Sequence, residues 1–230
     1  MTRVLQPELL DTLPADDPGA IRSRADLRRV NVWMGHCRLL LRAFHSAAPS
    51  DVRRIVELGT GDGSLALALA SQLSARWPKV DLTLVDQQRL VSPQTAEGFR
   101  RLGWALQIVQ ADVFDFLARE SGPADIIFAN LFLHHFKEAD LRHLLDKAAL
   151  QCACFIALEP RRSLVSRIGC ELLWSIGCNR VTRHDARLSV RAGFRRKELS
   201  ALWPRADGWL LREESAGLFS HQFVATRVAP

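Results

Sequence analysis

The chain has 230 residues, 48% of them hydrophobic and 24% charged. That length suits about one domain with a substantial core, and the balance excludes a disordered or fibrous polypeptide. Lys and Arg exceed Asp and Glu by 31 − 25 = 6, spread along the chain with one dense run at Arg195, Arg196 and Lys197, which argues against a dedicated nucleic-acid surface.

No apolar run reaches the roughly 18 residues that a membrane helix needs. The N-terminus carries acidic residues and prolines where a signal peptide places an apolar stretch, so a cytoplasmic protein with no membrane association is expected. Five cysteines, Cys37, Cys152, Cys154, Cys170 and Cys178, form no C-x-x-C pair. Reduced thiols are expected, not a disulfide framework or a zinc site.

Residues 1–20 lack periodicity and contain Pro7, Pro14 and Pro18, as an arm or lid segment would. Residues 21–46 repeat apolar side chains at three- and four-residue spacing (Leu27, Val30, Trp33, Met34, Leu40, Leu41, Phe44), which predicts one or two helices. Strand and helix patterns then alternate. Strands are predicted at 54–58, 80–85, 104–109, 125–129 and 153–158, and helices at 64–77, 93–102, 114–120 and 137–150. Residues 160–206 read as helical stretches, and 209–213 and 221–227 as two strands joined near Gly217.

Such alternation predicts a doubly wound α/β fold. The expected sheet has seven strands, mostly parallel, with a terminal antiparallel pair and an N-terminal helical lid. Residues 1–48 would be the arm and lid. Residues 49–230 would be the ligand-binding domain, with 160–206 a helical insertion on the substrate side.

The central motif is Glu57-Leu58-Gly59-Thr60-Gly61-Asp62-Gly63-Ser64, between a predicted strand and a predicted helix. Glycines there allow a sharp turn and close approach of a ligand to the backbone. A dinucleotide pyrophosphate calls for G-x-G-x-x-G, whereas this spacing is G-x-G-x-G with Asp62 inside the loop. A negative loop repels a pyrophosphate and tolerates a ligand carrying an ammonium and a sulfonium.

The run Val56-Glu57-Leu58-Gly59-Thr60-Gly61-Asp62-Gly63 resembles motif I of class I S-adenosylmethionine (SAM)-dependent methyltransferases. The resemblance spans about residues 50–160 together with the terminal strand pair. It implies SAM as cofactor, with Glu57, Gly59, Thr60, Gly61 and Gly63 around its methionine end. Asp86, at the end of the second strand, would accept from the ribose hydroxyls, beside Gln87. Asp112 and Val113 would meet the adenine, and Asn130 would border the methyl-transfer site.

Methyl transfer is an in-line displacement that needs alignment and, for a poorly ionised acceptor, removal of a proton. Asn130-Leu131-Phe132-Leu133-His134-His135-Phe136 follows the fourth strand, as a similar segment does in small-molecule members of the family. His134 and His135 are therefore the candidate catalytic bases, and as sequence neighbours they are expected to point apart. Packing or capping the next helix is the alternative for both.

The Asn-Pro-Pro-aromatic run of nucleic-acid amino methyltransferases is absent. So is the acidic set of metal-dependent ones, and His134, His135 and His143 make no recognisable ligand set, so no metal is expected. Arg161, Arg162, Arg183 and Arg191 are candidates for an anionic acceptor, and His184-Asp185 for a second acid–base pair. The expected partner is a small-molecule acceptor, methylated at oxygen in preference to carbon or nitrogen, and not nucleic acid. A homodimer stays open. The alternatives are a protein or RNA methyltransferase, a non-catalytic SAM-binding partner protein and a nicotinamide oxidoreductase.

Overall fold

The computed structural model describes residues 2–14, 16–119, 122–204 and 208–228. Its centre is a seven-stranded sheet in the order β3-β2-β1-β4-β5-β7-β6. The strands are β1 (Arg54–Leu58), β2 (Asp81–Asp86), β3 (Ala105–Gln110), β4 (Ala124–Asn130), β5 (Cys152–Pro160), β6 (Trp209–Ala216) and β7 (Ser220–Arg227). The first five pair in parallel, and β7 runs antiparallel to both β5 and β6. Gly217, at φ 66°, turns the chain between β6 and β7.

The helices are α1 (Leu9–Thr12), α2 (Pro18–Trp33), α3 (His36–Ala47), α4 (Ser64–Leu73), α5 (Pro93–Arg101), α6 (Val113–Ala118), α7 (Glu138–Gln151), α8 (Leu164–Glu171), α9 (Arg180–Ala192) and α10 (Glu198–Leu202). None of the described helices is long and apolar enough to cross a membrane. Successive strand residues point to opposite faces, so the sheet divides the core in two. Val56, Leu58, Ile127, Ala129, Phe155 and Ala157 pack with Phe116 and Leu117 of α6 and Leu141, Leu144 and Leu145 of α7. Ile55, Ile126, Phe128, Cys154 and Ile156 pack with Leu40 and Phe44 of α3, Leu69 and Leu73 of α4 and Phe99 of α5. Helices therefore cover both faces, as the alternation predicts.

Some boundaries differ from the sequence reading. The helix after β1 stops at Leu73, short of the predicted residue 77, because the chain turns to bury Trp77, whose indole N–H donates to the Ser50 carbonyl at 3.3 Å. α2 starts earlier than predicted, where Asp17 accepts from the N–H groups of Gly19 and Ala20 and Pro18 takes the first helical position. The predicted ends of helix 114–120 and of the 160–206 segment fall on residues 120 and 205–206, outside the described residues. Of the segment read as arm and lid, α3 lies within the sheet core. α2 instead packs on α9 and on the 172–176 turn through Val30, Leu173 and Cys178. All five cysteines are free thiols, and all but Cys37 are buried.

Candidate functional site

The carboxyl ends of β1, β2, β4 and β5 open into one cavity of about 490 Å³, roofed by the arm, α2, α8 and α9. Open α/β sheets bind ligands at this edge. The glycine loop forms one wall. The N–H groups of Gly59 and Thr60 donate to the Val85 carbonyl at 2.9 and 3.2 Å, tying the loop to β2. Gly61, at φ 57°, turns its N–H onto Asp86 Oδ2 at 2.8 Å. An added Cβ on Gly61 meets nothing within 4 Å, so the open side of this turn is cavity. Gly59 is closed in: a Cβ there would lie 2.2 Å from the Phe132 ring.

Glu57 is 2% exposed and accepts from the Thr60 hydroxyl at 2.5 Å. Burial pushes its carboxyl up to about 8, against that hydrogen bond and with help from the charges of Asp86 and Asp62. Burial also raises the Asp86 carboxyl, tempered by the N–H groups of Gln88 and Gly61. Asp62 goes the other way: burial is outweighed by hydrogen bonds from Ser64 and Arg28, which hold it below its ordinary value.

α2 closes over this wall. Arg28 Nη1 donates to Asp62 Oδ2 at 2.5 Å, and Arg24 Nη2 to Gln88 Oε1 at 3.1 Å. Asn130 ends β4 with a buried side chain beside the buried His36, its oxygen making no hydrogen bond of good geometry among the described residues.

The opposite wall is built after β4. Leu131 takes φ 53°, a left-handed conformation that costs a non-glycine residue about 1–3 kcal/mol. A 3-10 turn (Leu133–His135) follows. Glu159, at the end of β5 and 0% exposed, overdetermines this backbone. Its carboxylate accepts from the N–H groups of Phe132 (3.0 Å), Leu133 (2.8 Å) and His134 (3.3 Å), and from His134 Nδ1 at 2.8 Å.

With Nδ1 donating to Glu159, Nε2 of His134 faces the cavity. Burial lowers the His134 value on its own, but the hydrogen bond with Glu159 and the negative charge of Glu8 facing Nε2 outweigh it and raise it to about 9. His135 Nδ1 donates to the Phe132 carbonyl at 2.9 Å. The two imidazoles do not point apart as expected of sequence neighbours. Their centroids lie 4.1 Å apart, each ring being turned by its own Nδ1 acceptor, Glu159 or the Phe132 carbonyl, so that both Nε2 atoms face Glu8.

The arm completes this wall. Glu8 places Oε1 3.4 Å from His134 Nε2 and Oε2 3.5 Å from His135 Nε2. The two imidazoles facing it overcome its burial and drive the Glu8 carboxyl far below its ordinary range. The arm is held in place by Asp185, which accepts from the N–H groups of Leu9 and Leu10, and by Arg3, whose guanidinium donates to the carbonyls of Ala192, His134 and Phe136. Between the walls the lining turns apolar, with Leu27, Met34, Leu173, Val190 and Phe219.

Of the residues singled out in the sequence, Glu57, Gly59, Thr60, Gly61, Asp86, Gln87, Val113, Asn130, His134 and His135 line the cavity. Gly63 and Asp112 do not. Gly63 turns toward Leu84, Thr95 and Val91, and Asp112 caps α6 while accepting from Gln87 Nε2 at 2.8 Å. None of Arg161, Arg162, Arg183 and Arg191 reaches the cavity, whose arginines are Arg24 and Arg28. His184 does meet Asp185, at 3.0 Å, but that carboxylate is engaged by the arm.

Glu159 and Glu8 escaped the sequence reading. A signal existed for Glu159, an acid ending an apolar strand as Glu57 and Asp86 nearly do. The predicted strand stopped one residue before it. Glu8 left no signal, since its partners lie far from it along the chain.

The family model of a methyltransferase domain matches residues 55–152. No curated protein sequence matches the chain. Among solved structures, an O-methyltransferase family protein from Burkholderia thailandensis shares 16% identity at TM-score 0.59, over 94% of this chain and 61% of its own. Human N-acetylserotonin methyltransferase in complex with SAM shares 17% at TM-score 0.56, over 95% and 61%. The plantazolicin methyltransferase, in complex with a triazolic desmethyl analogue and S-adenosylhomocysteine, shares 13% at TM-score 0.61, over 94% and 92%. The chain thus spans 61% of the length of the first two structures and nearly all of the third.

Proposed function

We propose that this chain, whose residues 55–152 match the family model of a methyltransferase domain, is a SAM-dependent methyltransferase that acts on a small-molecule acceptor at oxygen. The observation that carries this reading is the joining of two walls in one cavity: the glycine loop with Asp86 on one side, and the buried Glu159–His134 pair on the other. SAM supplies an electrophilic sulfonium methyl. The protein's part is to hold the two reactants in line and take a proton.

The open side of Gly61, the carboxylates of Glu57 and Asp86 and the buried oxygen of Asn130 fit SAM. Glu57, Gly59, Thr60 and Gly61 would hold the amino-acid end, with Gly63 shaping the turn from behind. Asp86 keeps lone pairs for vicinal hydroxyls while bracing Gly61 and Gln88. Gln87 and Val113 would border the adenosine, and Asp112 would act through Gln87. The acceptor would lie against the apolar lining, roofed by the arm, α2 and the helices of 160–206. Its hydroxyl would meet His134 Nε2, whose tautomer Glu159 sets and which becomes free to take a proton as the pH rises toward about 9.

Two expectations test this. First, His134→Ala is expected to lower turnover roughly a hundredfold, in the range of general-base removal, while leaving S-adenosylhomocysteine binding unchanged. S-Adenosylhomocysteine release from a panel of hydroxylated aromatic acceptors checks it. Turnover confined to amines, or undiminished in His134→Ala and in His135→Ala, would sink the oxygen and base assignments.

Second, cofactor affinity is expected to depend on Glu57. Its raised value means the fold favours the neutral carboxyl, a contribution to stability present below the ordinary carboxylate range and lost as the pH rises through about 8. A ligand ammonium favours the ionised form. S-Adenosylhomocysteine, which keeps that ammonium, should therefore bind more tightly as the pH rises toward about 8 and release a proton on binding below it. Calorimetry in buffers of different ionisation enthalpy reads the proton directly. Glu57→Gln should weaken binding and abolish the proton release.

A further inference from the structure

We propose that Glu8, His134 and His135 form a site for a zinc-class divalent cation where the arm meets the wall after β4. This goes beyond the methyl-transfer reading, which needs no ion and belongs to the ion-free protein: an ion held by His134 Nε2 would withdraw that atom from its role as base. The ligand atoms His134 Nε2, His135 Nε2 and a Glu8 oxygen all lie within 4.8 Å of one another. Zinc bonds to nitrogen and oxygen of about 2.0–2.1 Å place tetrahedral ligands about 3.3 Å apart. Glu8 Oε1 stands 3.4 Å from His134 Nε2, and Oε2 stands 3.5 Å from His135 Nε2. These separations suit two ligands of one ion. They are long for direct hydrogen bonds.

The orientation of each imidazole agrees. A metal-bound histidine turns its other nitrogen to a carboxylate or a backbone carbonyl. His134 Nδ1 is held by Glu159 at 2.8 Å and His135 Nδ1 by the Phe132 carbonyl at 2.9 Å. Both Nε2 atoms are thereby left for the same point. His134 is 2% exposed, and its Nε2 is buried with no hydrogen-bond partner among the described residues. The surrounding charge also suits a cation: Glu8, Glu159 and, 3.8 Å from His135 Nε2, Asp11.

The expectation of no metal rested on the missing acidic set of metal-dependent members and on His134, His135 and His143 making no ligand set. The third ligand is instead Glu8, from the opposite end of the chain, and His143 stacks on Phe114. Two imidazoles and one carboxylate select zinc, cobalt or nickel over magnesium and calcium, which prefer all-oxygen sites. Three protein ligands leave a fourth position toward the cavity. Because Glu8 sits on the arm and the histidines after β4, the ion would fasten one to the other.

The test is titration of metal-free protein with cobalt(II), read by the visible absorption of a four-coordinate ion, followed by displacement with zinc and by melting temperature. One cobalt per chain is expected, displaced by zinc and not by magnesium, with a rise in melting temperature. Glu8→Gln and His135→Ala, both at partly exposed positions, should each weaken binding tenfold or more. His143→Ala should leave it intact. Circular dichroism checks that each variant is folded.

Absence of binding, or binding indifferent to Glu8→Gln and His135→Ala in folded protein, would overturn the site. So would displacement by magnesium. The measurement involves no turnover. If no ion binds but His134→Ala still slows methyl transfer, the site falls and the function stands.

Discussion

Glu159→Ala is expected to remove about 3–5 kcal/mol of stability, the usual cost of leaving the partners of a buried charge uncompensated. The carboxylate is wholly buried and satisfies four donors: three consecutive backbone N–H groups and His134 Nδ1. Those donors belong to the turn that follows the left-handed Leu131. Without the carboxylate they have no replacement acceptor in an apolar strand end, and the strain at Leu131 has nothing to hold it. The turn should relax and carry Phe132 away from Gly59.

Two losses then follow together, in melting temperature and in turnover, because His134 loses both its tautomer and its place. At roughly 2–4 °C per kcal/mol for a chain of this size, the shift is easily read by thermal denaturation. A variant that melts like the wild type would show that the carboxylate does not hold the turn. Glu159→Gln keeps the shape and is expected to lie between, since its amide nitrogen faces donors where an acceptor is needed.

Gly59→Val is expected to abolish measurable SAM binding and to destabilise the free protein. Its Cβ would sit 2.2, 2.4 and 2.9 Å from Phe132 Cδ2, Cγ and Cβ, at a backbone φ of 71° that a β-branched residue rarely adopts. Conformational strain contributes about 1–3 kcal/mol and overpacking about as much again. Phe132 cannot yield freely, because its own N–H is fixed by Glu159.

Gly61→Ala is the informative contrast. Its Cβ meets only open cavity, so the apo protein should melt close to wild type after the strain at φ 57°, while the methyl group stands where the cofactor would lie. Calorimetric titration with S-adenosylhomocysteine should show a loss of tenfold or more in both, about 1.4 kcal/mol. Only Gly59→Val should lose stability on a comparable scale. Full affinity in Gly61→Ala would displace the cofactor from the loop.

Much of this is legible without coordinates. The alternation of strand and helix patterns, each set by spacing over a few residues, determines a doubly wound sheet. The glycine spacing with Asp62 and the acid at Asp86 mark a donor-type loop at its edge. These features are local in the chain: a 2.0 or 3.6 residue period, or a glycine where φ must be positive, acts within one element.

What only the tertiary structure decides is which distant groups meet. Glu159 reads as the last residue of an apolar strand until β4 and β5 pair and set it under the Phe132–His134 backbone. The adjacent histidines read as divergent until Glu159, the Phe132 carbonyl and Glu8 turn the two rings toward each other. Glu8 belongs to an arm without periodicity, and reaches the histidines because Asp185 on α9 and the carbonyls accepting from Arg3 anchor that arm across the cavity. A carboxylate's partners are set by strand order and chain reversal, which local spacing does not encode. The donor loop could therefore be found in the sequence, whereas the opposite wall had to be seen folded.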